Sequence, residues 1–257
     1  MVKTISIANQ KGGVGKTTTA INLGAALAEK GKRVVIVDFD PQGNASTGLG
    51  VLAGDRGSTT YDVLVDDYPV DNAIIDTNTP NLRLLPATGD LSSADVDMAA
   101  EQHRLTRLRN ALAKPSFSRD DYDYVFIDCP PSLSVLTLNA FATSDSVLVP
   151  LQAEFFALEG LSQLILTVRE VRENLNPNLH ISSVVLTMVD KRNRLSGQVE
   201  ADAREHLGDI VYDTVVPRNV RLSEAPSFGI PATEYDPSSK GAEAYKALAD
   251  EFLAKMG

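Results

Sequence analysis

The stretch NQKGGVGKTTTAINLG, residues 9–24, follows a short apolar segment near the start of the chain. Its glycines let the backbone turn so that N–H groups converge on phosphate oxygens, and the helix that begins after them adds partial positive charge. Lys16 can reach the β- and γ-phosphates of a nucleotide, and the Thr17 hydroxyl can bind Mg²⁺. Strand, glycine-rich turn and helix, in this order, predict a phosphate-binding loop.

This loop departs from the usual spelling G-x-x-x-x-G-K-[ST] at its first position. Counting back from Gly15, the expected glycine is Gln10, and a second lysine, Lys11, stands inside the loop. A glycine-rich turn with an exposed basic residue is the plainer alternative. The residues predicted to contact nucleotide are Lys11, Gly12, Gly13, Val14, Gly15, Lys16, Thr17 and Thr18.

Apolar runs of strand length recur along the chain, with stretches of helical spacing between several of them. The expected strands are Ile5–Ala8, Val34–Val37, Leu82–Leu85, Tyr124–Ile127, Val147–Val149 and Val184–Val189. The expected helices are Thr17–Lys30, Leu158–Asn174 and Ala242–Met256. Continuously apolar strands suit a parallel sheet that is buried on both faces. The pattern predicts an α/β fold with a doubly wound, mainly parallel sheet, whose ligands lie at the carboxyl ends of the strands.

Length and composition fit a single domain over residues 1–257. The chain is 43% hydrophobic, and no Pro-, Ser- or Gly-rich linker divides it. No apolar run approaches membrane-spanning length, and Met1 leads straight into a strand-like segment, so neither a membrane span nor a signal peptide is expected. One cysteine, Cys129, excludes a disulfide within the chain. We expect a cytoplasmic protein.

Two predicted strands run directly into aspartates. Val34–Val37 precedes Asp38 and Asp40, and Tyr124–Ile127 precedes Asp128. An aspartate in this position can hold the hydration shell of Mg²⁺, which is the role predicted for Asp128, and Asp40 is predicted to orient the attacking water. Capping of the following segment is the alternative, which fits Asp38 best and stays open for Asp40. Because the chain lacks the Asn-Lys-x-Asp segment that reads guanine, ATP is the favoured nucleotide.

Four segments together resemble a known family. They are KGGVGKTT (residues 11–18), DFDPQGNASTGLG (38–50), FIDCPPS (126–132) and VVPRNVRLSEAPSFG (215–229). The sequence resembles the ParA/Soj ATPases that partition bacterial chromosomes and plasmids, part of the wider group with a deviant Walker A loop that includes MinD. The resemblance runs from Lys3 to about Tyr245. The loop specifies only the wider group, whereas DPQGNAS and the last segment point to ParA/Soj.

The resemblance implies an ATP-driven switch. ATP and Mg²⁺ would drive formation of a homodimer around the nucleotides, and a centromere-binding partner of the ParB/Spo0J type would stimulate slow hydrolysis to ADP. Lys11 would reach across to the phosphates of the other subunit, and Gly12 would leave room for that approach. Pro217 and Asn219 resemble the positions that pack on and bond the adenine, with a plain turn as the alternative.

Basic residues in the last third of the chain form a second group. They are Lys191, Arg192, Arg194, Arg218 and Arg221, which follow Val184–Val189 and Val215–Val216. In the family such residues bind double-stranded DNA without sequence preference. Composition gives little support, because the net charge is −10 and residues 187–222 hold six basic and six acidic side chains. Solvated surface charge, or contact of Arg218 with nucleotide, is the alternative.

Departures from related groups narrow the expected function. We expect no N-terminal helix-turn-helix extension. The last segment, with Asp250 and Glu251 between Lys246 and Lys255, predicts a packed helix rather than one that docks on a membrane. We expect a nucleoid-associated protein without a membrane partner. Two alternatives remain: a similar ATPase that positions another cargo, such as a chemoreceptor cluster or enzyme compartment, and a P-loop metabolic ligase or kinase.

Overall fold

The strands pair into one seven-stranded sheet in the computed structural model, which describes residues 2–115, 117–154, 157–190 and 192–256. They are β1 (Lys3–Ile7), β2 (Val34–Asp38), β3 (Ile75–Asp76), β4 (Leu82–Leu85), β5 (Tyr124–Asp128), β6 (Ser146–Gln152) and β7 (His180–Thr187). Their order is β3-β4-β2-β5-β1-β6-β7, and only the β3–β4 pair is antiparallel. The predicted doubly wound, mainly parallel sheet is confirmed.

Helices connect the strands and cover both faces of the sheet. The first six are α1 (Lys16–Glu29), α2 (Asn44–Gly48), α3 (Thr60–Val65), α4 (Val70–Ala73), α5 (Ala94–Asp97) and α6 (Arg107–Leu112). The others are α7 (Val135–Thr143), α8 (Ala157–Asn174), α9 (Arg194–Leu207), α10 (Val220–Glu224), α11 (Ala232–Tyr235) and α12 (Lys240–Met256). Within the described ranges, no helix is long and apolar enough to cross a membrane.

The sheet separates two hydrophobic cores. All five residues of β2 and of β5 are buried, and alternate side chains point to opposite faces, so each strand serves both cores. On one face, Tyr124 and Phe126 pack edge-on against Phe252 of α12, with ring centroids 5.2 and 5.9 Å apart. The prediction of a packed C-terminal helix is therefore confirmed.

Among the described residues, the sequence prediction missed β3 and nine of the twelve α-helices, namely α2 to α7 and α9 to α11. β3 has only two residues, too few for a hydrophobic pattern, and α9 occupies the region that was expected to be a basic loop. The predicted strand Val184–Val189 begins earlier, at His180, and ends at Thr187. Arg194 is therefore the first residue of a helix rather than part of a strand-end loop.

Candidate functional site

Three neighbouring strands end side by side and bring the predicted phosphate loop and aspartates together. β5 lies between β1 and β2, and the backbone register places Asp128 opposite both Ile7 and Asp38. The loop from Asn9 to Gly15 leaves the end of β1 and leads into α1. The predicted site residues of these three strands therefore share the carboxyl edge of the sheet.

The phosphate loop has the backbone shape that its glycines predict. Gly13 and Gly15 have φ angles of 74° and 90°, a left-handed conformation that strains other residues. α1 begins without a side-chain cap and without an acidic residue in its first turn, so its first N–H groups remain available to an anion. Apart from the adjoining residues, a Cβ atom at Gly12 or Gly13 would meet no atom of the described residues within 4 Å.

Lys16 lies buried across the loop. Its side-chain Nζ donates a hydrogen bond to the main-chain carbonyl of Lys11 at 3.0 Å, and only 6% of the residue is exposed. Burial lowers the pKa of Lys16, and the negative charge of Asp128 opposes that shift. The ammonium group is therefore close to the loop backbone and partly stripped of water, as a phosphate ligand requires.

The second lysine of the loop points elsewhere. The side-chain Nζ of Lys11 forms an ion pair with Glu154, which follows β6. The two side chains are 42% and 34% exposed, so this pair is accessible to solvent and to an approaching molecule. Lys11 thus lies at the rim of the site, separate from the buried ammonium group of Lys16.

Asp128 is a fully buried carboxyl group, and among the described residues neither of its oxygens has a hydrogen-bond partner. Burial raises its pKa well above the ordinary value, repulsion from Asp38 adds to the shift, and the Thr17 hydroxyl opposes it without closing a hydrogen bond of normal geometry. Two unpartnered oxygens beside the hydroxyl predicted to bind magnesium are a donor set that fits Mg²⁺ and its water ligands.

Asp38 has a structural partner, unlike Asp128. Its Oδ2 accepts hydrogen bonds from the main-chain N–H and the hydroxyl of Ser46, at 2.8 and 2.6 Å, in the first turn of α2. Burial raises the pKa of Asp38 to about 6, although both bonds from Ser46 oppose the shift. The capping role predicted for Asp38 is confirmed.

Asp40 lies at the start of the loop that follows β2. Its Oδ1 accepts a hydrogen bond from the main-chain N–H of Gln42 at 3.0 Å, a turn contact. The carboxylate is near enough to influence the pKa of both Lys16 and Asp128. Both interpretations of Asp40, cap and water-orienting group, are compatible with this position, so its catalytic role stays a prediction.

A cleft of about 120 Å³ opens beside the phosphate loop, and it is called the base cleft below after the predicted role of Pro217 and Asn219. Gly15 and Thr18 line one side, and Pro217 and Asn219 line another, which brings the predicted base-binding residues next to the loop. The Asn219 side chain also caps α10 by accepting a hydrogen bond from the N–H of Arg221. Contact with adenine at this cleft stays a prediction.

The sequence prediction missed six residues that line this cleft, which are Thr187, Met188, Val216, Leu222, Ser223 and Tyr245. Thr187, at the end of β7, donates its hydroxyl hydrogen to the main-chain oxygen of Val14 at 2.8 Å. Met188, with a φ of 52°, and Tyr245 of α12 also line the cleft. A polar residue at the end of a buried strand was the available signal for Thr187, whereas Tyr245 is distant in sequence and carried none.

Comparison with known proteins identifies the family. The family model for an AAA domain matches residues 2–181. The chromosome partitioning protein ParA of Caulobacter vibrioides strain NA1000 is 55% identical over 254 residues, covering 99% of this chain and 95% of that protein. The chain belongs to the ParA/Soj family of chromosome-partitioning ATPases.

Other relatives agree with this assignment. The sporulation initiation inhibitor protein Soj of Bacillus subtilis strain 168 is 53% identical over 254 residues, with 99% of both chains covered. The solved structure of MinD from Pyrococcus horikoshii with Mg-ADP is 30% identical, with a TM-score of 0.80 over 100% of this chain and 98% of that chain. Cobyrinic acid a,c-diamide synthase from Mycobacterium smegmatis, with ADP and magnesium, is 37% identical, with a TM-score of 0.84 over 98% and 94%.

The ParA/Soj chain has a larger groove next to the base cleft. It encloses about 900 Å³ between the loop that follows β7, the segment around Pro217, and α12. Arg192 and Arg218 both line it, together with Lys240, which the sequence prediction missed because it lies in another element. Arg192 is 91% exposed and pairs with Asp190. Arg218 also borders the base cleft, so its contact with nucleotide stays an alternative.

Arg194 and Arg221, which were also predicted to bind DNA, do not line that groove. Arg221 lies in α10, where its guanidinium pairs with Glu224 at 2.7 Å and with Asp236 at 3.2 Å. Arg194 is exposed at the start of α9. Lys191 lies outside the described residues. The prediction that all five basic residues lie in two loops at strand ends is therefore wrong for Arg194 and Arg221, because both lie in helices.

Proposed function

We propose that this chain is a single-domain ATP hydrolase of the ParA/Soj type that dimerises on ATP. It binds double-stranded DNA without sequence preference and partitions a chromosome or plasmid. The observation that carries the proposal is Asp128, a buried carboxyl group near Lys16 and Thr17 that has no hydrogen-bond partner in the part of the chain that the structure describes. An unpartnered buried charge is costly, so a divalent cation and phosphates explain it better than a purely structural role.

The proposed roles at the phosphate loop follow from charge and position. Lys16 and the first N–H groups of α1 hold the phosphates of ATP, and Thr17 and Asp128 hold Mg²⁺, the latter through water. Mg²⁺, when bound, neutralises the charge that builds up on the phosphates. Asp40 orients the attacking water. Pro217 and Asn219 contact the adenine.

Dimerisation gives Lys11 its role. Its ion pair with Glu154 is accessible to solvent, so the ammonium group can exchange one anionic partner for another. In the dimer it contacts the phosphates bound to the other subunit, which would otherwise repel that surface. Gly12 supports this proposal, because a Cβ atom there would have free space in one subunit and would obstruct only an approaching molecule.

DNA and a partner protein complete the proposed cycle. The ATP dimer binds nucleoid DNA in the cytoplasm through the groove that holds Arg192 and Arg218. A centromere-binding protein of the ParB/Spo0J type stimulates hydrolysis and so releases the dimer. Support for the partition role comes from the Caulobacter vibrioides relative, a chromosome partitioning protein that is 55% identical to this chain.

A metabolic ligase is the second candidate. It is favoured by the similarity to the cobyrinic acid a,c-diamide synthase of Mycobacterium smegmatis. The two functions differ in what accelerates ATP turnover. A ParA-type switch requires DNA and a ParB-type protein, whereas a ligase requires a small carboxylate substrate.

Light scattering with size exclusion tests the switch directly, in the presence of ATP and Mg²⁺. Lys16→Ala should abolish nucleotide binding, while Lys11→Ala should keep some binding and lose ATP-dependent dimerisation. A Lys11→Ala protein that dimerises normally would remove the role in trans. Turnover that rises with a small carboxylate and ignores DNA with a ParB-type protein would favour the ligase.

A further inference from the structure

The guanidinium of Arg56 forms hydrogen bonds with the loop that carries Asp40 and with neighbouring segments. The Arg56 Nε donates to the carbonyl of Val51 at 3.1 Å, and one terminal nitrogen donates to the carbonyl of Ala87 at 2.7 Å. The other terminal nitrogen donates to the carbonyl of Gly43 at 3.1 Å and to the hydroxyl of Thr47 at 2.7 Å. These acceptors belong to the loop after β2, to α2 and to the segment after β4.

Gly43 connects this cluster to Asp40. Its main-chain N–H donates to the carbonyl of Asp40 at 2.8 Å, within the turn that also ties Gln42 to the Asp40 carboxylate. Gly43 has a φ of 62°, and a Cβ atom there would overlap the Arg56 guanidinium and lie 2.9 Å from the carbonyl of Ala87. A side chain at position 43 would therefore displace the Arg56 guanidinium from this arrangement.

We propose that Arg56 is a positioning residue, which holds the Asp40 loop in the geometry that hydrolysis requires and does not touch nucleotide. This inference rests on the proposed function, in which Asp40 orients the attacking water. A guanidinium is a planar fork with fixed donor directions, so bonds to four acceptors fix the loop against both α2 and the β4 segment. A misplacement of the order of 1 Å costs on the order of 100-fold in rate.

The partners of Arg56 support positioning rather than surface electrostatics. They are three carbonyls and a hydroxyl, whereas the exposed Arg33 and Arg83 pair with the carboxylates of Asp123 and Asp76. Arg107 offers a matched control. Its guanidinium also bonds main-chain carbonyls, those of residues 64 and 65 at the end of α3, but it holds no part of the Asp40 loop.

The test measures ATP affinity and the rate of hydrolysis separately in the full chain. Arg56→Ala should lower kcat roughly 10- to 100-fold and leave the Kd for ATP within about twofold. Added guanidinium ion, far below denaturing concentrations, should restore part of the rate, because it refills the vacated site. Arg56→Lys should remain impaired, since one ammonium group cannot reach four acceptors. Arg107→Ala should hydrolyse ATP like the wild type.

Hydrogen exchange of residues 42–47 is the second measurement, and it does not depend on hydrolysis. Arg56→Ala should speed exchange there, and Arg107→Ala should not. If Arg56→Ala does not fold, the rate of hydrolysis and the hydrogen exchange of Arg56→Lys are compared with those of Arg107→Ala instead. The proposal is overturned by wild-type kcat in the Arg56 variants, by an equal loss in Arg107→Ala, or by unchanged exchange. A wild-type chain without ATPase activity would overturn the proposed function instead, and the exchange result would still decide whether Arg56 holds the loop.

Discussion

Three ionisable side chains are buried where β1, β2 and β5 end, namely Lys16, Asp38 and Asp128. Burial raises the pKa of both carboxyl groups and lowers the pKa of the lysine. Asp38 is partly compensated by the hydrogen bonds it accepts from Ser46, whereas within the described ranges neither oxygen of Asp128 has a hydrogen-bond partner. Folding alone would favour apolar groups over an uncompensated carboxylate. This uncompensated burial is the observation on which the proposed Mg²⁺ site at Asp128 rests.

The buried carboxylate of Asp38 predicts a pH dependence of stability. Folding raises its pKa from 3.8 to about 6, so the folded chain holds this proton more tightly than the unfolded chain. The stabilising contribution is complete below pH 4 and is lost as the pH rises to about 6. Asp38→Asn removes the charge and keeps an acceptor for Ser46. The unfolding free energy of the variant minus that of wild type should therefore be about 1–3 kcal/mol more favourable to the variant at pH 8 than at pH 4.

Urea unfolding without nucleotide at the two pH values checks this expectation. The compared quantity is the difference in unfolding free energy between Asp38→Asn and wild type. A difference that stays the same at pH 4 and pH 8 would mean that Asp38 titrates alike in the folded and unfolded chains.

Asp40 and Asp128 should respond differently to the same substitution. Asp40→Ala should bind ATP and Mg²⁺ and accumulate as a dimer, because the lost water-orienting group lowers turnover by roughly 10²–10⁴ without a comparable loss of affinity. Asp128→Ala should instead weaken the Mg²⁺-dependent part of ATP binding. Titration with a fluorescent ATP analogue, with and without Mg²⁺, separates the two. Equal loss of binding in Asp40→Ala would assign that residue to the metal or the fold.

At the scale of elements, the end of β7 joins the phosphate loop to the basic groove. Thr187 bonds the Val14 carbonyl, and Val189, two residues on, exchanges main-chain bonds with the segment that holds Val216 and Arg218. Arg192 follows on the same loop. The phosphate loop and the groove are thus connected through a few covalent and hydrogen bonds, by which a shift of the loop on nucleotide binding would reach the groove.

The hydroxyl of Thr187 should therefore matter for nucleotide binding. Thr187→Val keeps the shape but leaves the buried Val14 carbonyl unpaired, which costs about 1–3 kcal/mol and should weaken ATP binding roughly tenfold. Thr187→Ser restores a hydroxyl and should recover most of the affinity. Thr167→Val removes another buried hydroxyl, bonded to a carbonyl within α8, and is the matched control. Similar ATP affinities for both valine variants, by isothermal titration, would contradict a specific role.

What the sequence could predict at this scale depended on local patterns. The apolar strands, the glycine-rich loop and the aspartates at strand ends carry their signal within a few residues, and the structure brings them together as expected. β3 was missed because two residues define no period. Arg56 was missed because it bonds main-chain carbonyls and one hydroxyl, and Lys240 was missed because it lines the groove from an element distant in sequence; neither leaves a residue pattern.

At the scale of the whole molecule, acidic charge is concentrated away from the groove. Residues 61–130 hold 13 acidic and 6 basic side chains, and residues 1–60 hold 4 acidic and 7 basic. A net charge of −10 therefore does not preclude a local phosphate-binding surface. The groove that collects Arg192, Arg218 and Lys240 also contains Asp190 and Glu243, so one subunit offers only a weak patch.

DNA binding should consequently depend on dimerisation. Doubling the patch doubles the number of phosphate contacts and the logarithmic salt slope, so binding should be negligible with ADP and should appear with a non-hydrolysable ATP analogue. Arg192→Ala and Lys240→Ala should each weaken it on any sequence, with a slope change of roughly one unit per lost contact, about two per dimer. Arg221→Ala should weaken DNA binding less, since Glu224 and Asp236 already compensate the charge of Arg221.

Fluorescence anisotropy on two unrelated duplexes at several salt concentrations measures these effects. Arg169→Ala is the matched control, because Arg169 is an exposed arginine paired with a nearby carboxylate, like Arg192, but lies on α8. The groove variants should keep ATP-dependent dimerisation, since neither Arg192 nor Lys240 borders the base cleft. If the ATP-analogue dimer fails to bind either duplex at low salt, or if Arg192→Ala binds like Arg169→Ala, the groove is ordinary surface charge. DNA would then have to bind another face of the dimer, or not at all.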